Sequence, residues 1–319
     1  MQIFKNPNFD FVGWRWPALG LSLVVIGIGL FLMLTRGVQK GVDFEGGTIV
    51  IVHFHEDPDL ARIQGALPDA TVQRYGTPET RNVMIRVKRT GEEQGTDLSR
   101  EVDQVLSRLR EANVGAFDET PVGTKIVGPV VGEQLRRQGM WATVLALGGI
   151  LIYIALRFQF SFAVGAVVAV IHDLLVTLTF LTIFGYDLTL NVVAALLTIT
   201  GYSVNDTIVV FDRVRENLRL MRRDNLPHII NVAVNQTLGR TVITSGTTVL
   251  AVLSLYLFGG DVLRGMAFTL LVGVLSGTYS TVFIAATIAI IFQGRKPLKG
   301  QAAPAASASA RPSRRRAVS

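Results

Sequence analysis

The chain has 319 residues, of which 49% are hydrophobic and 17% are charged, and its formal net charge is +7. Its mean hydropathy of +0.41 and its low charged fraction favour a membrane protein, because soluble domains carry about 25% charged residues. The absence of cysteine excludes disulfides, thiolate catalysis and cysteine-ligated metals. The basic excess lies in loops beside apolar runs and in the C-terminal tail, so it indicates membrane topology rather than nucleic-acid binding.

The first candidate span is an apolar stretch at residues 17–34. It is long enough, with its flanks, to cross the roughly 30 Å hydrocarbon core of a bilayer. Trp14 and Trp16 precede it, which is typical of the membrane interface. Residues 35–37 do not form the small-x-small cleavage site of a signal peptide, so we expect an uncleaved first span within residues 1–37.

Residues 38–139 change character and predict a soluble domain. Four segments have strand-like patterns and two show helical spacing, in the order β-α-β-β-α-β of a ferredoxin-like α+β fold. The predicted elements are residues 48–54, 58–67, 70–75, 82–88, 97–112 and 117–127, and residues 91–95 are predicted to form an exposed loop.

Residues 140–294 return to membrane character and predict five more spans. The apolar runs cover residues 140–156, 162–184, 188–211, 241–258 and 265–292. The fold class is therefore an α-helical polytopic membrane protein with six transmembrane helices and an α+β domain between spans one and two. The Ala/Ser/Pro/Arg-rich tail, residues 295–319, cannot build a core, and we expect it to be disordered.

The distribution of lysine and arginine predicts the orientation in the membrane. Five arginines lie between spans four and five, and the tail is strongly basic. The alternate short loops, residues 185–187 and 259–264, contain only Arg264. Because positive residues stay on the cytoplasmic side, we expect both termini in the cytoplasm and residues 38–139 outside the cytoplasmic membrane, in the periplasm of a bacterium.

An ionisable residue lies inside the fourth span. The segment 201–207 places Asp206 in an apolar run, where a charge costs roughly 2.5–3.5 kcal/mol and is rarely without a role. Arg240 opens the fifth span, and Thr244 and Thr248 follow it at four-residue spacing, on one helix face. Asn205 precedes the aspartate on a polar stripe of span four. If the two stripes face each other, Asp206 and Arg240 can pair, and we predict an intramembrane proton-handling site.

Two plainer interpretations of this pattern remain open. Asp206 and Arg240 could form a static salt bridge that fixes helix register, although a buried ion pair contributes little to stability. The threonines could serve as ordinary helix-packing residues.

Two other polar residues within the predicted spans are candidate functional residues. His172 and Asp173 lie in the middle of the third span, where they form either a second relay or a hydrogen-bonded pair that holds the bundle together. One histidine and one aspartate supply too few ligands for a metal site. Gly46 and Gly47, before the first strand, predict a turn or a close backbone approach.

These motifs together resemble the SecD/SecF family of bacterial protein-export subunits. The resemblance covers about residues 4–292, and its most specific part is the run 201–217. The motifs that carry it are Asp-Phe-Glu-Gly-Gly-Thr at 43–48, His-Asp at 172–173, Gly-Tyr-Ser-Val-Asn-Asp-Thr at 201–207, Phe-Asp-Arg-Val-Arg-Glu-Asn at 211–217 and Arg-Thr-Val-Ile-Thr-Ser at 240–245.

The resemblance implies a function in which the proton gradient drives late steps of preprotein translocation. It implies a pseudo-symmetric partner, SecD, and an association with the Sec channel complex and the preprotein, with no nucleic acid, no cofactor and no metal. Family proton-transfer positions map onto Asp206, Arg240 and Thr244, and a further carboxylate is expected in SecD. The resemblance implies a transport subunit of the resistance–nodulation–division superfamily, not an enzyme.

Three alternatives fit the same sequence. A proton-coupled transporter of lipid or small solutes belongs to the same superfamily. An intramembrane aspartyl protease would use Asp173 and Asp206, but Asn205 before Asp206 does not provide the Gly-x-Gly-Asp context of such enzymes. A passive subunit would only stabilise the channel.

Overall fold

The computed structural model describes residues 7–76, 78–87 and 98–293. The tail predicted at 295–319 and the loop predicted at 91–95 lie outside the described residues. The helices are α1 (Arg15–Arg36), α2 (Val42–Glu45), α3 (Leu60–Ala66), α4 (Leu98–Glu111), α5 (Pro129–Arg157), α6 (Phe160–Phe184), α7 (Leu190–Leu220), α8 (Leu226–Phe258), α9 (Asp261–Ser280) and α10 (Ala286–Gln293). The strands are β1 (Gly47–His53), β2 (Ala70–Tyr75), β3 (Asn82–Val87) and β4 (Gly123–Val127).

Six helices of the described chain are long and apolar enough to cross a membrane, which confirms the predicted six-span fold. They are α1, α5, α6, α7, α8 and a sixth that α9 and α10 form together. About half of the apolar stretch of α7 and of the sixth span is buried inside the protein, against 6% for α5. The bundle is therefore organised around α6, α7 and the sixth span, and α5 lies at its edge.

The domain between spans one and two is the predicted ferredoxin-like domain. Its four strands are antiparallel in the order β2-β3-β1-β4, and α3 and α4 cover one face of the sheet. The core under the helices is mainly apolar, since alternate strand residues such as Val52 and Ile85 point inward and Leu109 of α4 meets them.

The last strand begins later than predicted. Phe117 makes an isolated bridge to Phe54, and regular pairing resumes at Gly123. Pro121 lies in the interval, and proline cannot donate to a strand ladder.

The register of the sheet brings two basic residues to one place. Ile49 of β1 lies directly opposite Arg86 of β3 and Lys125 of β4. Residues directly opposite each other share a face, so Arg86 and Lys125 lie on the face that α3 and α4 leave uncovered.

The membrane helices extend beyond their apolar runs. α5 begins at Pro129, and α8 begins at Leu226 after an asparagine cap, Asn225. α7 continues through the charged segment after Phe211 and ends at Leu220. Apolar content predicts the part of a helix that lies in lipid, whereas caps and prolines decide where the helix begins.

The segment before α1 is held by α8. Phe9 N donates to Asn235 Oδ1 at 2.8 Å, and Asn235 Nδ2 donates back to Phe9 O at 2.9 Å. One turn away, Asn231 Oδ1 accepts from Phe11 N at 2.9 Å. Two side-chain amides thus pair with the backbone of this segment and tie the start of the first span to α8.

The sixth span contains a π-helical segment, Thr281–Ala285, between α9 and α10. Its first residue, Thr281, shares a hydrogen bond of 2.9 Å with Thr207 of α7. At its other end, the carbonyl of Ala285 lies against Gly165 of α6. Segments of this kind often occur at functional sites, and this one adjoins the residue after Asp206.

Gly165→Ala should destabilise the bundle. An added Cβ would lie 2.6 Å from the carbonyl oxygen of Ala285, a backbone atom that cannot move aside cheaply, and overpacking of this kind costs about 1–3 kcal/mol. Gly148→Ala in α5 is the matched control, because the described residues leave its Cβ position open to 4 Å. We expect thermal unfolding in detergent to show a lower melting temperature for Gly165→Ala alone. Equal melting temperatures would contradict this packing.

Candidate functional site in the membrane bundle

Asp206 lies in the interior of the bundle, on the side of α7 that faces α8, and is only 7% exposed. Its Oδ1 accepts a hydrogen bond of 2.9 Å from the hydroxyl of Thr241. Its Oδ2 is buried and has no hydrogen-bond partner among the described residues. The carboxyl group is therefore half satisfied, which is costly for an ionised group in an apolar surrounding.

Arg240 does not pair directly with Asp206 in this structure, contrary to the predicted contact. No ion pair within 4.0 Å joins them among the described residues, and Arg240 is exposed on the surface of the chain. Successive residues of a helix differ by about 100° in direction. Thr241 takes the position that faces Asp206, and Arg240 lies beside it on the helix, where its charge still acts on the carboxyl group.

The predicted threonine stripe on α8 bonds mainly to its own helix. Thr244 Oγ1 donates to the carbonyl of Arg240 at 3.0 Å, and Thr248 Oγ1 donates to the carbonyl of Thr244 at 2.9 Å. The α8 hydroxyls that bond to other helices belong to Thr241, which donates to Asp206, and to Ser245, which contacts Thr278 Oγ1 at 2.7 Å. Thr241 and Ser245 both belong to the motif at residues 240–245 and lie beside the predicted stripe.

A row of polar side chains is exposed along the outer faces of α7 and α8. A polar group that faces lipid is unfavourable, so an exposed polar face in a span is a surface that another protein or water is expected to cover. We call this row the polar seam; it comprises Asn191, Thr198 and Asn205 of α7 and Arg240, Thr244 and Thr247 of α8.

Asp173 has a different environment from Asp206. Its Oδ1 accepts from Ser276 at 2.7 Å and lies 3.1 Å from His172 Nδ1. Its Oδ2 accepts from Ser203 at 2.6 Å and from Ser280 at 2.7 Å. Four partners from α6, α7 and α9 thus surround one carboxylate, an arrangement that favours the structural interpretation of Asp173.

The other ring nitrogen of His172 extends this cluster to the first span. His172 Nε2 lies 3.0 Å from Ser22 Oγ, and Ser22 Oγ lies 3.3 Å from the hydroxyl of Tyr279. Tyr279 in turn donates to the carbonyl of Ala18 at 2.7 Å. The serines and the tyrosine were missed in the sequence, where the four-residue spacing of Ser276 and Ser280 was the available signal.

Gly46 and Gly47 form the junction between span one and β1. Both have positive φ angles, 73° and 130°, which favour glycine. A Cβ added at Gly132 of α5 would lie 3.0 Å from Gly46 N. The close backbone approach predicted from the doublet is confirmed.

Among the described residues no group of three or more His, Asp or Glu side chains could hold a metal ion.

The geometry defines a class: a six-span membrane protein with a ferredoxin-like domain between spans one and two and a half-bonded carboxylate in its bundle. The model of the family "Protein export membrane protein SecD/SecF, C-terminal" matches residues 109–295, and that of the "SecD/SecF GG Motif" matches residues 31–57. The chain belongs to the SecD/SecF family of protein-export membrane proteins.

Several similar proteins carry the name protein translocase subunit SecF. The protein from Magnetococcus marinus is 45% identical over 91% of this chain and 94% of its own length. The protein from Koribacter versatilis is 36% identical over 95% of this chain and 96% of its own length. That from Pseudomonas aeruginosa is 40% identical over 90% and 92%, respectively.

Solved structures of SecDF share the fold. SecDF from Thermus thermophilus, described as a translocon-associated membrane protein, is 31% identical, with a TM-score of 0.79 over 91% of this chain. This chain spans 39% of that longer protein. A second structure, of SecDF in a super-membrane-facing form, gives a TM-score of 0.66 at the same identity over 92% of this chain and 40% of that one.

Asp173→Asn should destabilise the protein more than Asp206→Asn. An amide at position 173 places a donor among side chains that already donate, and a buried unsatisfied group costs about 1–3 kcal/mol. At position 206 one hydrogen bond is at stake, and the amide retains an acceptor for Thr241. Thermal unfolding of the two isosteric variants should give the lower melting temperature for Asp173→Asn. The reverse order would contradict the structural role of Asp173.

Proposed function

We propose that this chain acts as the SecF-type subunit of the Sec protein-export machinery and, together with SecD, uses the proton gradient to drive late steps of preprotein translocation. Membership of the SecD/SecF family supports the export role. The observation that carries the proton-coupled part is the carboxyl group of Asp206, buried in the bundle with one oxygen bonded and the other without a described partner.

Protonation of Asp206 would act on the contact between α7 and α8. An ionised carboxylate at this position attracts the nearby Arg240, whose long side chain can change rotamer, whereas a protonated carboxyl group needs only the hydroxyl of Thr241. The two protonation states therefore favour different arrangements of α8 against α7. A proton driven by the gradient supplies about 2.3 kcal/mol per 100 mV, enough to shift a two-state equilibrium by a factor of about 50.

The polar seam is the surface on which we expect SecD to pack. It brings Arg240 and Asn205 to the outside of the chain, one residue away from Thr241 and Asp206 respectively. A membrane subunit with a carboxylate at this depth would pair with Arg240 and complete the site. Proton transfer would then involve Asp206, Arg240 and Thr244 of this chain, with Thr241 as the direct partner of the carboxyl group.

The orientation follows from the lysine and arginine distribution. With the basic segment between α7 and α8 in the cytoplasm, the ferredoxin-like domain would lie on the outer side of the cytoplasmic membrane. In that position it can contact a preprotein that emerges from the Sec channel complex.

Asp206→Asn should abolish the gradient-stimulated part of export and leave the ATP-driven part intact, because the amide cannot exchange a proton. The measurement is preprotein import into inverted membrane vesicles that contain this chain and SecD, with and without a proton gradient. Asp212→Asn is the matched control on the same helix, where the aspartate forms a surface ion pair with Arg157 at 2.9 Å. Full gradient stimulation in Asp206→Asn would sink the proposal, and a passive channel subunit would then remain.

The neighbouring hydroxyls can be compared in the same assay. Thr241→Val removes the donor to Asp206 and preserves shape, so it should reduce gradient-stimulated export or shift its pH dependence. Thr244→Val removes a hydroxyl that donates to its own helix backbone, and we expect a smaller effect. A larger effect of Thr244→Val would contradict the assignment of Thr241 as the direct partner.

A further inference from the structure

The loop between α6 and α7 is joined to the base of the outer domain. Leu188 N donates to Gln39 O and Gly41 N donates to Leu188 O, each at 2.8 Å, as in a short parallel strand pairing. A Cβ at Gly41 would lie 2.8 Å from Thr189 Cγ2 and 3.1 Å from the carbonyl of Leu188. The two segments are therefore in close backbone contact.

A buried ion pair reinforces this contact. Arg86 of β3 pairs with Asp187 of the loop, and their side chains are 8% and 13% exposed. Burial lowers the pKa of the Arg86 guanidinium, and the charge of Glu45 opposes that effect. Arg86 Nε and Asp187 Oδ1 have no hydrogen-bond partner among the described residues. A buried ion pair with unsatisfied atoms adds little to stability. We therefore expect this pair to fix the position of the sheet relative to the loop.

Asp43 makes a second connection at the same place. Its Oδ1 lies 2.6 Å from Lys125 Nζ of β4, and its Oδ2 accepts from the backbone N–H of Leu190 at 3.1 Å. Leu190 is the first residue of α7, where a carboxylate satisfies a free N–H group and interacts well with the helix dipole. One buried carboxylate thus joins the sheet of the outer domain to the start of α7.

The helix that begins at this junction also carries Asp206. α7 is continuous from Leu190 to Leu220, with no proline, and Asp206 lies about 24 Å along its axis from Leu190. A continuous helix shifts or rotates as one body, so a movement at Asp206 reaches the first turn. Arg86 and Lys125 lie on the same face of the sheet, on either side of Ile49. Arg86 holds the loop directly, and Lys125 is linked to the first turn through Asp43.

We propose that Asp43 and Arg86 are positioning residues that fix the outer domain to the first turn of α7, so that a movement of α7 at Asp206 is transmitted to the sheet of that domain. This inference rests on the proposed function and adds the transmission element to it. We call the contacts Asp43–Lys125, Asp43–Leu190 and Arg86–Asp187 the latch.

The first test measures whether the latch fixes the domain. The chain has no cysteine, so spin labels can be placed at Glu111→Cys in the outer domain and Leu257→Cys at the end of α8, in the complex with a cysteine-free SecD. Both residues are exposed. The distance distribution between the labels should be narrow in the parent and should broaden in Asp43→Asn and Arg86→Gln, whereas Arg86→Lys should restore part of the order.

Two further variants keep this test decisive. Lys125→Met removes one arm of the latch from a half-exposed side chain, so the domain should fold normally, and the distribution should still broaden. Arg110→Gln is the control, since it breaks an ion pair with Glu119 on the surface of the same domain. Unchanged distributions in Lys125→Met and Arg86→Gln, or equal broadening in Arg110→Gln, would overturn the latch.

The second test separates transmission from stability. In the vesicle assay the latch variants should lose gradient-stimulated export about fivefold or more, the lower end of typical coupling between linked sites, while ATP-driven export persists. A purely structural role would lower both parts together. Normal gradient stimulation in Lys125→Met and Arg86→Gln would overturn the proposal. Asp206→Asn, measured in the same vesicle assay, tests the proposed function separately. The distances between the spin labels are recorded without a gradient, so they test the latch independently of the proposed function.

Discussion

The hydrogen bond from Thr241 to Asp206 joins α7 and α8 at a buried carboxyl group whose second oxygen has no partner among the described residues. A buried carboxyl group with one unbonded oxygen can lower its free energy by binding a proton or by pairing with a cation. A cation is close by, because Arg240 precedes Thr241 by one residue on α8 and its charge acts on the carboxyl group.

Asp173 and Asp206 are both buried in the bundle, but they differ in the number of their hydrogen-bond partners. Asp173 is held by hydroxyls from α7 and α9 and by its neighbour His172, so its geometry is over-determined. Asp206 has a single donor. Ser203 donates to Asp173 and lies one helical turn before Asp206, so the fully bonded acid anchors the same stretch of α7 that presents the half-bonded one.

The sequence predicted those features that depend on local periodicity. Six apolar runs and the β-α-β-β-α-β order correctly predicted the spans and the ferredoxin-like domain between the first two. The predicted contact between Asp206 and Arg240 was wrong for this structure by one residue, since apolar periodicity fixes a helix face only to within about 100°. The serines around Asp173 and the latch at Asp43 depend on the relative rotation of separate helices, which no local pattern encodes.

The π-helical segment of the sixth span has a consequence for how the bundle can rearrange. Thr281–Ala285 is wound more loosely than the helices on either side, so α9 and α10 are out of phase with each other by a residue's worth of rotation, about 100°. Tightening these five residues into an α-helix would turn α10 relative to α9 and present a different side of it to α6. The two ends of the π-helical segment, one beside Thr207 of α7 and the other beside Gly165 of α6, are where such a change would alter the packing of the sixth span.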